Sequence, residues 1–141
     1  MAGLLRVLVG VIGVFNIVIG LGFLLNPAGA AAGFFLTPEG SQGLATLRAD
    51  FPGFFITGGV CALIGAVQRD ARALLVPMLL LAVALVGRCV SLALDGTPST
   101  AFPPMLVEAV MISVLALARR NLTNWRPEKP APLIANSTRP A

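Results

Sequence analysis

The chain has 141 residues, of which 57% are hydrophobic and only 11% are charged, and its net charge is +4. Soluble domains carry about 25% charged residues, so this composition excludes a soluble globule and indicates a chain that lies in a lipid bilayer. The positive charge is typical of basic residues that flank membrane helices on the cytoplasmic side. The sequence has no aromatic–basic patch of the kind that binds RNA or DNA, so no nucleic-acid partner is predicted.

Four apolar runs predict an all-α fold, a bundle of four transmembrane helices within residues 1–120. A helix needs about 20 residues to cross the hydrocarbon, and about 17 is the lower limit. The predicted helices cover about residues 4–25, 51–68, 71–94 and 102–119. The polar, proline-rich segment 121–141 is predicted to be a disordered cytoplasmic tail.

The segment of residues 26–47 is predicted to be an outer loop that contains short, half-buried helices. Asn26-Pro27 ends the first predicted helix and can cap a short helix after it. One interpretation of Asp50 is that it caps the second transmembrane helix, because Phe51 precedes Pro52 and is biased away from helical geometry.

Basic residues predict the orientation of the bundle. With four spans, both termini share one face with the loop of residues 69–72, and eight of the ten basic residues fall on that face. They are Arg6, Arg69, Arg72, Arg119, Arg120, Arg126, Lys129 and Arg139. The positive-inside rule therefore predicts a multi-pass protein with both termini in the cytoplasm.

The sequence contains no histidine, and its two cysteines, Cys61 and Cys89, have no CxxC spacing. The missing histidine excludes His-ligated haem and the usual zinc and di-iron sites. No metal or other cofactor is predicted, and the cysteines are interpreted as packing residues.

Polar residues gather in the outer half of the predicted bundle, where they form the candidate site. The six residues are Arg48, Asp50, Arg88, Glu108, Asp95 and Asn16. Arg88 and Glu108 each lie six residues from the outer end of their predicted helix, which places both roughly 9 Å below the outer boundary. A charge at the centre of a membrane helix costs roughly 2.5–3.5 kcal/mol. Arg88 and Glu108 are therefore predicted to face inward and to pair, directly or through Asp50.

Two interpretations of these charges are open. In one, Arg48 and Asp50 form the rim of a pocket that has Arg88 and Glu108 at its floor and the loop of residues 26–47 as a lid. In the other, Arg48 reaches up to lipid headgroups, and Arg88–Glu108 is only a structural clamp between helices.

The segments NPAGAAAG, LRADFPGFF, GRCVSLALDG and LVEAV together resemble the bacterial membrane family catalogued as domain of unknown function 4345 (DUF4345), over about residues 4–120. The layout is similar to the DoxX-like group of small four-helix proteins. This resemblance implies a four-helix fold in the bacterial inner membrane, and it implies no established activity and no catalytic residue. Pro52 departs from the pattern, which has a small residue such as glycine there.

Three functions fit these features. The preferred one is a non-catalytic accessory protein, or a binder of a lipid or small amphipathic ligand whose anionic head Arg48 and Arg88 hold. The predicted partners are the lipid bilayer, that ligand, and either a partner membrane protein or a second copy of this chain.

The first alternative is a small proton-linked transporter that uses Glu108 or Asp50 as carrier. Arg88 counts against it, because a neighbouring cation favours a permanently charged Glu108. The second alternative, a quinone-linked redox subunit, rests on the DoxX-like layout alone.

Overall fold

The structure is a computed structural model that describes residues 2–96 and 99–124. The α-helices in these two ranges are α1 (Ala2–Leu25), α2 (Pro27–Ala32), α3 (Gly40–Gln68), α4 (Leu75–Asp95) and α5 (Phe102–Asn124), and a 3-10 turn, Ser99–Ala101, precedes α5. No β-strand occurs in the described ranges, so the predicted all-α class is confirmed. Helices α1, α3, α4 and α5 are each long and apolar enough to cross a membrane.

The four long helices alternate in direction along the chain. Helix α1 packs most extensively on α3, and α4 packs on both α3 and α5. Large apolar side chains remain exposed along the outside of the bundle, and on α1 they recur every three or four residues. They are Leu4, Val7, Val11, Val14, Val18, Leu21 and Leu25. A continuous apolar stripe of this kind on a spanning helix faces lipid hydrocarbon rather than water.

The two ends of the bundle differ in packing. At the end that carries Arg6, Arg69 and Arg119, here called the basic end, a core draws on all four long helices. Its buried members are Val9, Ile12, Ala62, Ala66, Leu74, Leu81, Leu115 and Ala118. The opposite end, which carries Leu25, Asp95 and Phe102, is here called the cavity end. There, the buried cluster of Phe23, Ala31 and Leu47 involves only α1, α2 and α3.

The helix boundaries correct the sequence prediction at three places. Helix α3 begins at Gly40 rather than near residue 51, so the predicted outer loop is shorter and Asp50 lies inside a helix instead of capping one. Helix α4 begins at Leu75 instead of 71, after a turn. Helix α5 continues to Asn124, so residues 121–124 are helical and not tail. The rest of the predicted disordered tail lies outside the described residues.

The short helix predicted after Asn26 is present. The Asn26 side-chain oxygen accepts a hydrogen bond from the backbone N–H of Gly29, at 3.1 Å, and Pro27 occupies the first turn of α2. Asparagine before proline is a common start for a helix, because proline lacks only an N–H that the first turn leaves unpaired. Helix α2 thereby turns the chain back over the cavity end, onto α1 and α3.

Candidate functional site

A cavity of about 1030 Å³ lies between the helices at the cavity end. All four long helices contribute to its wall, together with residues 33–35 and the turn before α5. Leu81 belongs both to this wall and to the core of the basic end. The closed core therefore forms the bottom of the cavity.

Aromatic rings make up much of the wall. Six of the eight phenylalanines of the chain line the cavity, which is here called the phenylalanine cavity. They are Phe15, Phe34, Phe35, Phe51, Phe54 and Phe55. A wall of this composition offers a large apolar surface and several aromatic rings to a ligand.

A stack of rings holds this wall in place. Phe23 is fully buried, and its ring centroid lies 4.3 Å from that of Phe51 and 5.1 Å from that of Phe34. Phe34 also meets Phe55 edge-on, at 5.9 Å between centroids. Residues 33–35, which follow α2, are thus part of the cavity wall. That the segment between the first two long helices covers the opening as a lid stays a prediction.

Arg88 and Glu108 form the ion pair predicted from their depth. Arg88 Nε on α4 donates to Glu108 Oε1 on α5 at 2.9 Å, and both residues line the phenylalanine cavity. The Glu108 side chain is 13% exposed, and its second oxygen, Oε2, is buried and has no hydrogen-bond partner among the described residues. A buried carboxylate oxygen without a donor costs free energy. A ligand donor in the cavity would remove that cost.

Asn16 and Asp50 are the other two predicted site residues that line the cavity. Asn16 is 7% exposed; its amide donates to the Ile12 carbonyl at 2.9 Å and makes a weak contact, at 4.0 Å, with the sulfur of Met111. Asp50 is exposed, on α3. The predicted bridge from Asp50 to the ion pair is not present, since Arg88 and Glu108 meet directly.

Arg48 and Asp95 are not among the residues that line the cavity. Asp95 is exposed at the last position of α4. Arg48 Nε instead donates to the carbonyl of Leu24 at 3.2 Å, in the last turn of α1. Of the two residues predicted to form the rim of the pocket, Asp50 lines the cavity and Arg48 does not.

The bond of Arg48 has a counterpart at the basic end. Arg6 Nε on α1 donates to the carbonyl of Ala66 at 2.8 Å, in the last turn of α3. The last four carbonyls of a helix have no partner within the helix, and cations are favoured near that terminus. Because α1 and α3 are antiparallel, each helix supplies an arginine to the C-terminal end of the other.

Arg88 also lines a second, smaller cavity of about 370 Å³, with residues of α4 and the turn before α5.

As for metals, no group of three or more His, Cys, Asp or Glu side chains that could hold an ion occurs in the part of the chain that the structure describes. Cys61 and Cys89 are free; Cys61 is half-buried, whereas Cys89 is exposed, so the packing interpretation fits Cys61 alone.

The sequence prediction of the site missed the phenylalanines. The available signal was the cluster Phe51, Phe54 and Phe55, whose three- and four-residue spacing places rings near one face of a helix. The charged residues next to these rings, Arg48 and Asp50, indicated a polar site instead. Phe15 and Phe34 had no local signal, because only the packing of α1 and residues 33–35 on α3 brings them to the same cavity.

Four apolar helices around an aromatic cavity that also contains an ion pair define a small multi-pass membrane protein. The chain belongs to the family described as domain of unknown function DUF4345, whose model matches residues 4–119. No curated protein and no solved structure matches the chain.

Proposed function

We propose that the protein is a non-catalytic membrane protein that binds a lipid or another small amphipathic molecule in the phenylalanine cavity. The observation that carries this proposal is the cavity itself. Its volume of about 1030 Å³ is at the upper end of ligand pockets, which typically measure about 300–1,000 Å³ and combine apolar walls with a few polar groups. The phenylalanine rings would hold the apolar part of the ligand, and the Arg88–Glu108 pair would meet its polar head.

The ion pair supports a binding role over a purely structural one. Buried ion pairs stabilise a fold weakly, because desolvation of the two charges offsets their attraction. Here the pair faces a cavity, and no described residue donates a hydrogen bond to Glu108 Oε2. A clamp that served only to join α4 and α5 would be expected to use both oxygens within the protein.

We place the protein in the inner membrane with both termini in the cytoplasm. Five arginines of the described residues, Arg6, Arg69, Arg72, Arg119 and Arg120, lie at the basic end or in the α3–α4 connection. Basic residues near the ends of membrane helices are retained on the cytoplasmic side. The phenylalanine cavity would then open toward the outer face.

The test is native mass spectrometry of the full chain, purified in lipid nanodiscs without delipidation. We expect a bound molecule that survives purification and is absent from empty nanodiscs. Two variants on α5 make the test specific: Val107→Trp places a large ring in the cavity wall, whereas Val110 is similarly exposed but does not line the cavity.

The bound molecule should be lost from Val107→Trp and retained by Val110→Trp. No molecule above the empty-nanodisc background, or one that both variants retain equally, contradicts binding in this cavity. The identity of the molecule also bears on the alternatives, because a quinone would favour a redox subunit. A pH-driven flux through proteoliposomes would favour a proton-linked transporter.

A further inference from the structure

The charges that line the phenylalanine cavity indicate which charge its proposed ligand carries. Three of its lining residues are ionisable: Asp50 and Glu108 are acidic, and Arg88 is basic, which gives a formal charge of 1 − 2 = −1. Arg88 is already paired with Glu108 at 2.9 Å. Asp50 is therefore the uncompensated charge of the wall, and it is negative.

The two arginines that could hold an anionic head do not act together. Arg48 is not a lining residue, and its Nε is bonded to the Leu24 carbonyl. An anion beside Arg88 would have to compete with Glu108 for the guanidinium and approach a second carboxylate at Asp50. The anionic head predicted from the sequence therefore has little charge to attract it.

The aromatic wall favours the opposite charge. The face of a phenylalanine ring is negative, and it attracts a cation that lies within about 6 Å of the ring centroid. Six such rings line the cavity. Glu108 Oε2 is buried in the same wall and has no hydrogen-bond partner among the described residues. A carboxylate oxygen can only accept a hydrogen bond, and a protonated amine can donate one.

From the wall charge, the ring faces and the unpartnered oxygen, we infer that the phenylalanine cavity binds lipophilic cations: apolar, ring-bearing or chain-bearing molecules with a cationic head. This inference rests on the proposed function, because it names the ligand class of the same cavity. Apolar surface supplies most of the contact, and Asp50 with Glu108 selects the charge. An apolar amine of moderate size has all of the required chemistry, whereas a phosphonium ion has the charge and the apolar surface but no hydrogen-bond donor.

Tetraphenylphosphonium and tetraphenylborate test this inference, since they share size, shape and four phenyl rings and differ in the sign of their charge. Binding is measured by equilibrium dialysis against nanodiscs that carry the full chain, with empty nanodiscs to subtract partition into lipid. We expect the phosphonium to bind and the borate to bind at least about tenfold more weakly, from the difference in charge interaction.

Two pairs of variants locate the binding. Asp50→Asn and Asp95→Asn each remove one exposed carboxylate, but only Asp50 lines the cavity. Phe54→Leu removes a lining ring, whereas Phe102→Leu removes an exposed ring outside it. Asp50→Asn and Phe54→Leu should each weaken phosphonium binding by about threefold to tenfold, and their counterparts should leave it unchanged.

Each other outcome overturns the inference. Borate that binds as tightly as phosphonium, or more tightly, and is lost from Val107→Trp shows a cavity without cation preference, while the proposed function stands. Phosphonium binding that is equally insensitive to Asp50→Asn and Phe54→Leu places the cation elsewhere. If neither ion binds, the cation site is wrong, and the native mass spectrum decides separately whether the cavity holds any ligand.

Discussion

Arg88 and Glu108 join α4 to α5 below the cavity end of the bundle. Arg88 lies seven residues before the last residue of α4, and Glu108 six residues after the first residue of α5, so each is roughly 9–11 Å from its helix end. The Arg88 side chain is 35% exposed and that of Glu108 is 13% exposed. Partial exposure, which the open cavity provides, lowers the desolvation cost of the pair relative to a fully buried one.

The effects of losing Arg88 and of losing Glu108 on stability should not be additive. Arg88→Ala leaves a carboxylate without its cation, and Glu108→Gln leaves a guanidinium without its anion. We expect the double variant to unfold more easily than the wild type by less than the sum of the two single effects, with a coupling free energy of about 1–2 kcal/mol.

The measurement is the free energy of unfolding in mixed detergent micelles, for the wild type, the two single variants and the double variant. Asp95→Asn serves as the control, because Asp95 is exposed and no ion pair involves it in the described structure. Strictly additive losses would mean that the contact at 2.9 Å contributes nothing to stability.

The Arg88–Glu108 pair could be predicted from the sequence, whereas the contact of Arg48 with the Leu24 carbonyl could not, and the difference has a physical cause. Helical rise converts residue number into depth, so two opposite charges at equal depth on neighbouring helices can be matched from their residue numbers alone. The partner of Arg48 is a backbone carbonyl at the end of α1. Every helix end offers such carbonyls, and nothing in their residue types shows which one an arginine will reach.

Helices α1 and α3 approach closely because glycines leave room at their contact. A Cβ on Gly13 would lie 2.8 Å from Leu63 Cγ and 2.9 Å from the carbonyl oxygen of Gly59. From the other side, a Cβ on Gly59 would lie 2.6 Å from the carbonyl oxygen of Gly13. Such small-residue contacts are how membrane helices gain packing energy, since lipid supplies no hydrophobic force between them.

Gly13→Ala and Gly10→Ala form a matched pair on α1. A Cβ on Gly10 would meet no heavy atom within 4 Å, whereas one on Gly13 collides with the backbone of α3. We expect Gly13→Ala to destabilise the protein by about 1–3 kcal/mol, as overpacking does. Gly10→Ala should be neutral or stabilising by up to about 1 kcal/mol, because alanine favours the helix.

Unfolding in mixed micelles again provides the measurement. Equal effects of the two substitutions would show that the closeness of α1 and α3 at Gly13 does not contribute to stability. A destabilised Gly13→Ala variant should also lose phosphonium binding, because the cavity wall depends on the position of α1 against α3.

The start of α3 shows where local sequence rules fail. Pro52 predicted a helix start, since proline removes a helical hydrogen bond and restricts the residue before it. The helix nevertheless runs through Pro52, which is buried. An interior proline costs about 3 kcal/mol, and this cost is opposed by burial of Leu47 and by the packing of Phe51 on Phe23. Phe23 lies on another helix, so the compensation was not visible in the local sequence.

At the scale of the whole molecule, the helix bundle formed by the described residues is closed at one end and open at the other. At the basic end, side chains of α1, α3, α4 and α5 meet in one core. At the cavity end, α2 and the phenylalanines pack on α1 and α3 only, and the space between them and the α4–α5 pair is the cavity. For the proposed ligand, this arrangement would provide an entrance at the cavity end, and the packed core of the basic end would oppose passage through the bundle.

The orientation of this asymmetry can be measured with reporter fusions at residues 97 and 140. In the sequence, residue 97 comes two residues after α4, which ends at the cavity end, and residue 140 comes after α5, which ends at the basic end. We expect a periplasmic signal from the fusion at 97 and a cytoplasmic signal from the fusion at 140, because five arginines lie at or next to the basic end.

The result decides more than topology, because the membrane potential acts on charged ligands. A cavity that opens outward and closes inward would capture lipophilic cations on the side from which the potential draws them, and its packed core would stop them from following that force. A cytoplasmic signal at 97 with a periplasmic signal at 140 would reverse the opening. The cavity would then be open to the cytoplasm, where the membrane potential accumulates lipophilic cations. The same preference for cations would therefore select ligands from inside the cell rather than from outside it.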